Sequence, residues 1–462
     1  MAMMRYYSTN RQLNNFSGIA PFQDLVTFKE ALLMGQAPDE GLFMPDCIPQ
    51  LPLQVLKLLK DEPYTETAML VAESFLKDEI SKADLRRIVE DSYNFDVPLE
   101  RVRNRQYIMR LDRGPTASFK DYAARLMARL MSHFLNPGER LNVLVATSGD
   151  TGGAVGDAFH GVPGVDVYIL YPDEEVSGMQ KKQLDTIGGN VRALSVKGKF
   201  DDCQNLVKQV FADPDFSRMN VSSANSINFG RIMPQIIYYV YAYAQLAQAG
   251  EEIIFSVPSG NFGDALGCEY ARRMGLPVKK IIMPTNENDE FPRFLKTGIY
   301  EKVSPSRACL SNAMNVGHPS NLARFFDLYG GTIDRMGTVY RYPDLNEMRK
   351  NIFSVSISDA ETRKTIKIIY DNYGTILEPH GAVGWRGLEL YLAEQDDKLL
   401  CISLETAHPA KFPEEIKAML NIFPELPSSM QDLDKKSGVA QPMTNEYDKL
   451  KAYLQQHLRA ND

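Results

Sequence analysis

From residue 141 onward the sequence alternates between short runs of β-branched and apolar residues and stretches with helical periodicity. Strands separated by helices of this length predict a mostly parallel sheet covered by helices on both faces, an α/β fold. In such sheets the ligand lies beyond the carboxyl ends of the strands, in the loops that follow them. The predicted strands are 141–145, 165–171, 191–196, 253–257, 279–283 and 399–404, and the predicted helices begin near 154 and span 201–211 and 264–274.

The first hundred residues follow a different pattern. Ranges 51–60 and 70–91 carry apolar residues at helical spacing, so residues 1–100 are predicted to form a mostly helical accessory domain. Residues 101–110 are predicted to be a strand that leads into the rest of the chain. Two segments are assigned near the end of the chain: a polar linker at 424–436 and a last helix at 445–458.

Composition excludes several classes of function. With a net charge of -8, the chain has no overall basic character that would favour nucleic acid or an acidic membrane surface. The longest apolar run, 236–244, is too short to span a bilayer, and residues 1–15 lack the apolar core of a signal peptide. The cysteines form no CxxC pair and the histidines no HExxH motif, so we expect reduced thiols, a cytoplasmic location and no metal site.

The stretch 114–121, Gly-Pro-Thr-Ala-Ser-Phe-Lys-Asp, combines a turn with one lysine in apolar surroundings. The run 122–134 after it predicts a helix, so Lys120 stands at a loop-to-helix junction and Asp121 in the first helical turn, where a carboxylate is favoured. Burial lowers the pKa of an amine and makes it a usable nucleophile for a carbonyl. The alternative is a lysine that only extends its alkyl chain beside a helix.

Two loops between a predicted strand and a predicted helix have the features of anion-binding sites. Residues 146–153 are Ala-Thr-Ser-Gly-Asp-Thr-Gly-Gly, and residues 258–264 are Pro-Ser-Gly-Asn-Phe-Gly-Asp. Glycines let the backbone approach a ligand, and N–H groups at a helix start favour a phosphate. The first loop lacks the dinucleotide-binding GxGxxG pattern, so an ordinary glycine turn stays an alternative. Asp264 is an awkward neighbour for an anion unless its side chain turns away.

Three further segments hold polar side chains. Residues 224–231, Ala-Asn-Ser-Ile-Asn-Phe-Gly-Arg, offer amides, a hydroxyl and an arginine to a phosphate, although such a loop can also satisfy only its own backbone. Residues 404–412, Leu-Glu-Thr-Ala-His-Pro-Ala-Lys-Phe, follow a predicted strand and place a hydroxyl where it can meet a ring nitrogen. The third segment, residues 378–384, is Glu-Pro-His-Gly-Ala-Val-Gly, and we group it with 404–412.

Together these motifs resemble those of the threonine synthase family, pyridoxal-phosphate enzymes with the tryptophan-synthase-β-like fold, or fold type II. The resemblance covers nearly the whole chain, in the same order, which makes it very specific. The matching segments are 41–45, 114–121, 148–152, 225–231, 259–263, 315–324, 379–384 and 406–412. Three residues depart from the usual family pattern: Arg113, Ser118 and Gly381 stand where His, Ala and Thr are frequent.

The resemblance implies a fold and a cofactor. The fold would be a two-lobed, three-layer α/β structure, with a smaller lobe at 140–220 inserted in a catalytic domain at 101–462. Lys120 would hold pyridoxal 5'-phosphate covalently and then carry protons. The other implied cofactor contacts are Gly260, Asn261, Phe262, Gly263 and Asp264 at the phosphate and Thr406 at the pyridine nitrogen. The implied substrate ligands are Thr147, Ser148, Gly149, Asp150, Thr151, Asn225, Ser226 and Arg231.

The implied activity is β,γ-elimination and replacement, which converts O-phospho-L-homoserine and water to L-threonine and phosphate. A related phospholyase that releases 2-oxobutyrate would keep every cofactor motif. A serine/threonine dehydratase would share the fold, but it has no need for Arg231. A non-enzymatic cofactor-binding protein is a third alternative, against which the retention of Lys120 and of the substrate loops argues. The sequence leaves open whether the protein is a monomer or a homodimer.

Overall fold

A computed structural model describes residues 3–13, 18–216, 218–393, 399–438 and 440–458. The strands are β1 (Tyr6–Ser8), β2 (Phe43–Pro45), β3 (Leu99–Arg103), β4 (Gln106–Arg110), β5 (Leu141–Ala146), β6 (Val165–Pro172), β7 (Val191–Lys197), β8 (Val221–Ser223), β9 (Ile253–Ser256), β10 (Val278–Ile282), β11 (Thr332–Ile333), β12 (Val339–Arg341), β13 (Ile352–Phe353), β14 (Leu400–Glu405) and β15 (Gln441–Thr444). The helices are α1 (Phe28–Met34), α2 (Leu53–Lys57), α3 (Tyr64–Leu76), α4 (Lys82–Ser92), α5 (Lys120–Phe134), α6 (Asp150–Phe159), α7 (Gly178–Asp185), α8 (Phe200–Ala212), α9 (Met233–Leu246), α10 (Gly263–Arg273), α11 (Glu290–Thr297), α12 (Leu322–Leu328), α13 (Leu345–Asn351), α14 (Asp359–Tyr373), α15 (Pro379–Ala393), α16 (Pro413–Leu420) and α17 (Tyr447–His457).

The predicted α/β alternation is observed, and it builds two sheets. One has the strand order β13-β10-β9-β14-β4-β3 and is parallel except for the β3–β4 pair. The other has the order β15-β7-β6-β5-β8 and is parallel throughout. Parallel strands end at a common edge, so the loops after β9 and β14 lie together on one sheet, and the loop after β5 ends the other.

Several local predictions are wrong in their boundaries. The range 101–110 is a hairpin of β3 and β4, because Asn104 turns the chain with a φ of 46°. The range 70–91 is divided between α3 and α4, since the Ser81 side chain accepts a hydrogen bond from the Asp84 N–H and starts a new helix. Of the range 51–60, only α2 is helical, and the last helix, α17, is shorter than predicted.

The predicted linker at 424–436 is also partly packed. It contains two short 3₁₀ turns, and Met430 and Leu433 are buried against Ala117. The β15 strand that follows pairs with β7, a contact between segments about 250 residues apart that no local pattern indicates. This C-terminal segment therefore belongs to the five-stranded sheet.

The N-terminal residues share one hydrophobic cluster with the helices around the six-stranded sheet. The rings of Tyr6, Phe28 and Phe75 lie 5.1, 6.5 and 6.2 Å from the ring of Phe229. Aromatic contacts of this kind add directional stabilisation to the burial of apolar surface. Because Phe229 belongs to the 224–231 loop, the N-terminal segment supports that loop directly.

Among the described residues, no helix is long and apolar enough to cross a membrane. Over the same residues, no group of three or more His, Cys, Asp or Glu side chains is arranged to hold a metal ion.

Candidate active site

Lys120 is the first residue of α5, and the loop before it is held against the loop after β14. The Phe119 N–H donates to the Thr406 carbonyl at 2.9 Å, and the His408 N–H donates to the Ala117 carbonyl at 3.0 Å. Ala117 adopts a left-handed conformation, with a φ of 55°. This short antiparallel contact fixes Lys120 beside the carboxyl end of β14, where the sequence predicts Thr406 to act.

The spacing of residues within 114–121 has a steric and an electrostatic cause. The Thr116 N–H and hydroxyl donate to the two carboxylate oxygens of Asp121 at 2.9 and 2.5 Å. A Cβ on Gly114 would lie 2.4 Å from the same carboxylate, so only glycine fits there. Burial raises the pKa of Asp121 to about 6 despite these hydrogen bonds. Asp121 therefore stabilises the turn that precedes Lys120.

The Lys120 side chain is 13% exposed, and its Nζ lies 3.8 Å from Asp150 Oδ2 and 4.8 Å from the ring centroid of Phe119. Burial lowers the pKa of Lys120, and the positive charges of Lys411 and Arg231 act in the same direction, while Asp150 opposes them. The prediction that Lys120 is partly buried is thus confirmed. A lysine in this setting supplies a neutral amine more readily than a solvated one.

The loop after β9 presents unused backbone donors. Within the described residues, the N–H groups of residues 260–265 have no hydrogen-bond acceptor. A Cβ on Gly260 would lie 3.0 Å from the Ala313 carbonyl oxygen, and Phe262 has a left-handed φ of 63° at the start of α10. Free N–H groups at a helix start fit a phosphate, so this loop suits the predicted cofactor phosphate.

Asp264 does not oppose an anion in that loop. Its carboxylate turns inward and accepts hydrogen bonds from the hydroxyls of Tyr238 and Tyr239, the latter at 2.6 Å. Burial raises its pKa to about 6. The side chain of Asp264 thus turns away from the loop, and it makes no cap on α10.

Thr406 follows β14, and its side chain is linked to a buried carboxylate. Its hydroxyl donates to Glu378 Oε1 at 3.4 Å, and Glu378 also accepts the N–H of Gly381 and the Nδ1–H of His380 at 2.9 and 2.6 Å. His380 Nε2 accepts the Ala313 N–H at 3.1 Å, which places the ring proton on Nδ1. This chain of hydrogen bonds runs from the predicted ring-nitrogen partner to Ala313, whose carbonyl lies against Gly260 of the predicted phosphate loop.

The loop after β5 divides into buried and accessible hydroxyls. Thr147 Oγ1 accepts the N–H groups of Gly149 and Gly152 at 3.0 and 2.8 Å, so it shapes the loop itself. Gly149 has a φ of 131°, which requires glycine. The half-buried hydroxyls of Ser148 and Thr151 have no side-chain partner among the described residues, so they are available to a ligand.

In the 224–231 loop, most polar groups serve the protein. Asn225 Nδ2 donates to the Ala146 carbonyl at 2.9 Å, and the Ser226 hydroxyl lies 3.5 Å from that of Ser320. Arg231 is different. Its Nη1 donates to the Ala224 carbonyl at 2.8 Å, but its buried Nε has no partner and no described carboxylate lies within ion-pair distance. Burial lowers its pKa to about 10, a sign of a guanidinium that lacks its counter-ion.

Three buried charged residues near these loops were given no role by the sequence analysis: Glu378, Lys411 and Arg324. All three lie inside segments singled out from the sequence, 378–384, 404–412 and 315–324, so they could have been considered. Arg324 also stands in the apolar run Leu-Ala-Arg-Phe-Phe, where a charge has no local explanation. It is fully buried, and it donates to the carbonyls of Phe43 and Ile227 at 3.1 and 2.7 Å.

Replacing Arg324 with methionine should lower the free energy of unfolding by about 3 kcal/mol or more, because buried carbonyls lose their donor. The midpoint of thermal unfolding measures this effect. Arg341→Met, at an exposed position of β12, is the matched control and should leave the midpoint nearly unchanged. Equal midpoints for the two variants would contradict a structural role for Arg324.

Comparison with known proteins assigns the class. The family model described as pyridoxal-phosphate dependent enzyme matches residues 94–403, two thirds of the chain. Free N–H groups for a phosphate, a buried lysine for an aldehyde and a hydroxyl after β14 all suit that cofactor. Fold and site thus define a pyridoxal-phosphate-dependent enzyme of fold type II.

The family follows from the rest of the chain. Models described as threonine synthase N terminus and threonine synthase, C-terminal, match residues 5–93 and 381–454. The threonine synthase of Haemophilus influenzae is 37% identical over 95% of this chain and 99% of its own, and that of Schizosaccharomyces pombe is 36% identical over 91% and 90%. A crystal structure of threonine synthase from Brucella melitensis, with bound pyridoxal phosphate, superposes with a TM-score of 0.89 at 34% identity, covering 99% of this chain and 100% of that one. The chain belongs to the threonine synthase family.

Proposed function

We propose that this protein converts O-phospho-L-homoserine and water to L-threonine and phosphate. Relatives named threonine synthase match nearly the full chain at 36–37% identity, which supports the activity. The single observation that carries the substrate class is Arg231, a buried guanidinium with an unpartnered Nε. The loop at 260–265 already offers a cradle to the cofactor phosphate, and the hydroxyls at the start of α6 are available to the substrate carboxylate, so a further buried guanidinium fits a phosphate carried by the substrate.

The cofactor would be held by three groups of this chain. Lys120 would hold it covalently, the backbone of residues 260–264 would bind its phosphate, and Thr406 would face its ring nitrogen. When bound, the cofactor withdraws electrons from the substrate carbons next to the amine, so that their C–H bonds can be broken. Everything else in the reaction depends on how the protein binds the substrate and moves protons.

Lys120 is the proposed proton carrier. Its lowered pKa favours the neutral amine, which accepts a proton from a substrate carbon and returns it to another. Its position at the start of α5 is fixed on one side by Asp121 and on the other by the contact with the loop after β14. A fixed amine can serve neighbouring carbon atoms in turn without a second base.

The proposed substrate ligands surround the second anion site. Arg231 would bind the substrate phosphate, since a guanidinium makes paired hydrogen bonds to phosphate oxygens. The accessible hydroxyls of Ser148 and Thr151, at the start of α6, would bind the substrate carboxylate or phosphate with Asn225 and Ser226. Thr147 and Gly149 would act indirectly, since the Thr147 hydroxyl accepts the Gly149 and Gly152 N–H groups and holds the shape of the loop that carries Ser148 and Thr151.

Product analysis on O-phospho-L-homoserine tests the proposed function. Purified protein loaded with pyridoxal phosphate should release threonine and inorganic phosphate in equal amounts. Release of 2-oxobutyrate with phosphate would make the protein a phospholyase instead. A preference for unphosphorylated serine or threonine would favour a dehydratase, and it would leave the buried guanidinium of Arg231 without a ligand.

Arg231→Lys should lower kcat/KM for O-phospho-L-homoserine by about a hundredfold or more, because an ammonium cannot reproduce the paired contacts with a phosphate that gains charge as it leaves. The visible spectrum of the bound cofactor should stay the same. Inorganic phosphate should compete with the substrate in the wild type and much less in the variant.

Arg87→Lys is the control for this substitution, since its side chain is 76% exposed on α4 and it should behave as the wild type. Normal turnover by a folded Arg231→Lys variant would remove Arg231 from the substrate site.

Location is proposed on separate grounds. None of the five cysteines, all within the described residues, forms a disulfide. Thiols persist in a reducing compartment, which supports the proposed cytoplasmic location.

A further inference from the structure

Lys411 is a fully buried lysine on the 3₁₀ turn Pro409–Lys411, just after β14. Its side chain has 0% exposure, and its Nζ lies 2.9 Å from Oδ1 of Asp150. Asp150 is the first residue of α6, which follows β5 of the other sheet. The ion pair therefore joins the two sheets across the cleft that contains Lys120.

Asp150 is shared between two lysines. Its Oδ1 accepts Lys411 and also the Gln180 side-chain amide at 2.9 Å, whereas its Oδ2 lies 3.8 Å from the Nζ of Lys120. The contact with Lys411 is thus a short, charge-assisted hydrogen bond, and the contact with Lys120 is longer than a hydrogen bond. Of the two lysines, Lys411 therefore makes the closer contact with this carboxylate.

A buried ion pair is a costly way to fill space. The free-energy cost of removing both charges from water often exceeds the gain from their attraction. A protein with apolar residues of similar volume in their place can be as stable or more stable. In this cleft the pair also stands directly beside the amine that the reaction uses. A role in controlling Lys120 accounts for both its position and its cost.

Resting on the proposed function, we propose that Lys411 is a positioning residue that holds the Asp150 carboxylate and so prevents it from pairing fully with Lys120. Without Lys411, the carboxylate would be free to move onto Lys120 and to keep that amine protonated. A protonated amine can neither attach to the cofactor nor accept a proton from the substrate.

The charges around Lys120 set the direction of the effect. Burial is the largest cause of its lowered pKa, and the charges that face it are Asp150 and Glu378, which oppose the shift, and Lys411 and Arg231, which add to it. Asp264 also faces Lys120 from α10. Loss of Lys411 removes one positive charge and exposes Lys120 to an uncompensated Asp150. Both changes raise the pKa of Lys120.

The test measures the titration of Lys120 in the full-length chain freed of cofactor. Acylation with acetic anhydride at a series of pH values, read by mass spectrometry of the peptide with Lys120, gives the midpoint at which the amine becomes reactive. Lys411→Met should shift this midpoint upward by about one pH unit. Lys411→Arg keeps the charge and should stay near the wild type. Lys435→Met, which breaks an exposed pair with Asp432, is the control and should not move the midpoint.

An unchanged midpoint in folded Lys411→Met would overturn the proposal. If that variant does not fold, Asp150→Asn replaces it, and there the midpoint should move downward, because the opposing negative charge is gone. An unchanged or higher midpoint in Asp150→Asn would also overturn the proposal. Failure of the proposed function would look different: the wild type would give the wrong products from O-phospho-L-homoserine, whatever the titration of Lys120.

Discussion

Lys120→Ala should lower the turnover rate by about a thousandfold or more, because one residue supplies both the covalent attachment and the proton carrier. The cradle at 260–265 and Thr406 stay intact, so the variant should still bind pyridoxal phosphate, more weakly and with a changed visible spectrum. Borohydride should fix the cofactor to the peptide with Lys120 in the wild type and to no peptide in the variant.

Lys82→Ala is the control, since that side chain is 71% exposed on α4 and lies in the N-terminal segment. It should keep the wild-type spectrum, rate and borohydride product. A stable cofactor adduct on another peptide of Lys120→Ala would show that the assignment of Lys120 is wrong.

The second large effect is expected at Gly381, where the family frequently has threonine. A Cβ on Gly381 would lie 1.6 Å from Oε2 of Glu405, a fully buried carboxylate at the end of β14. Glu405 cannot easily move, because its Oε1 accepts the Glu378 N–H at 2.7 Å and lies 3.6 Å from the guanidinium of Arg110. Gly381→Thr should therefore lower the free energy of unfolding by about 3 kcal/mol or more.

A double-mutant cycle separates this clash from other effects of the substitution. Glu405→Ala opens the space, so Gly381→Thr should cost much less in that background than in the wild type, as measured by thermal unfolding. Gly178→Thr is the matched control, because a Cβ there meets nothing within 4 Å. Equal costs of Gly381→Thr in both backgrounds would rule out the contact with Glu405 as the cause.

The pair also explains a departure that the sequence alone could only note. A threonine side chain at position 381 would overlap the carboxylate of Glu405. Burial and the neighbouring charge of Glu378 raise the pKa of Glu405.

Local chemistry made much of the fold and of the candidate site predictable. Alternating strand and helix patterns identify the parallel sheets, and glycine-rich turns with a lysine identify the loops at their carboxyl ends, because these signals depend on neighbours in sequence. Asp150, the partner of Lys411, and the carbonyl groups that Arg324 binds lie far away along the chain, so the local sequence does not reveal these contacts. The β15 strand is not predictable from the sequence for the same reason, since its apolar content is low and its pairing with β7 is long-range.

The cluster around Phe229 affects how the chain is made. Tyr6 leaves the ribosome about 220 residues before Phe229, a delay of roughly 10–45 s at synthesis rates of about 5–20 residues per second. During that time the apolar faces of Tyr6, Phe28 and Phe75 have no Phe229 to cover them, and the Phe43 carbonyl waits still longer for Arg324. The apolar surface of the nascent N-terminal segment is therefore fully covered only after the 224–231 loop has been synthesised.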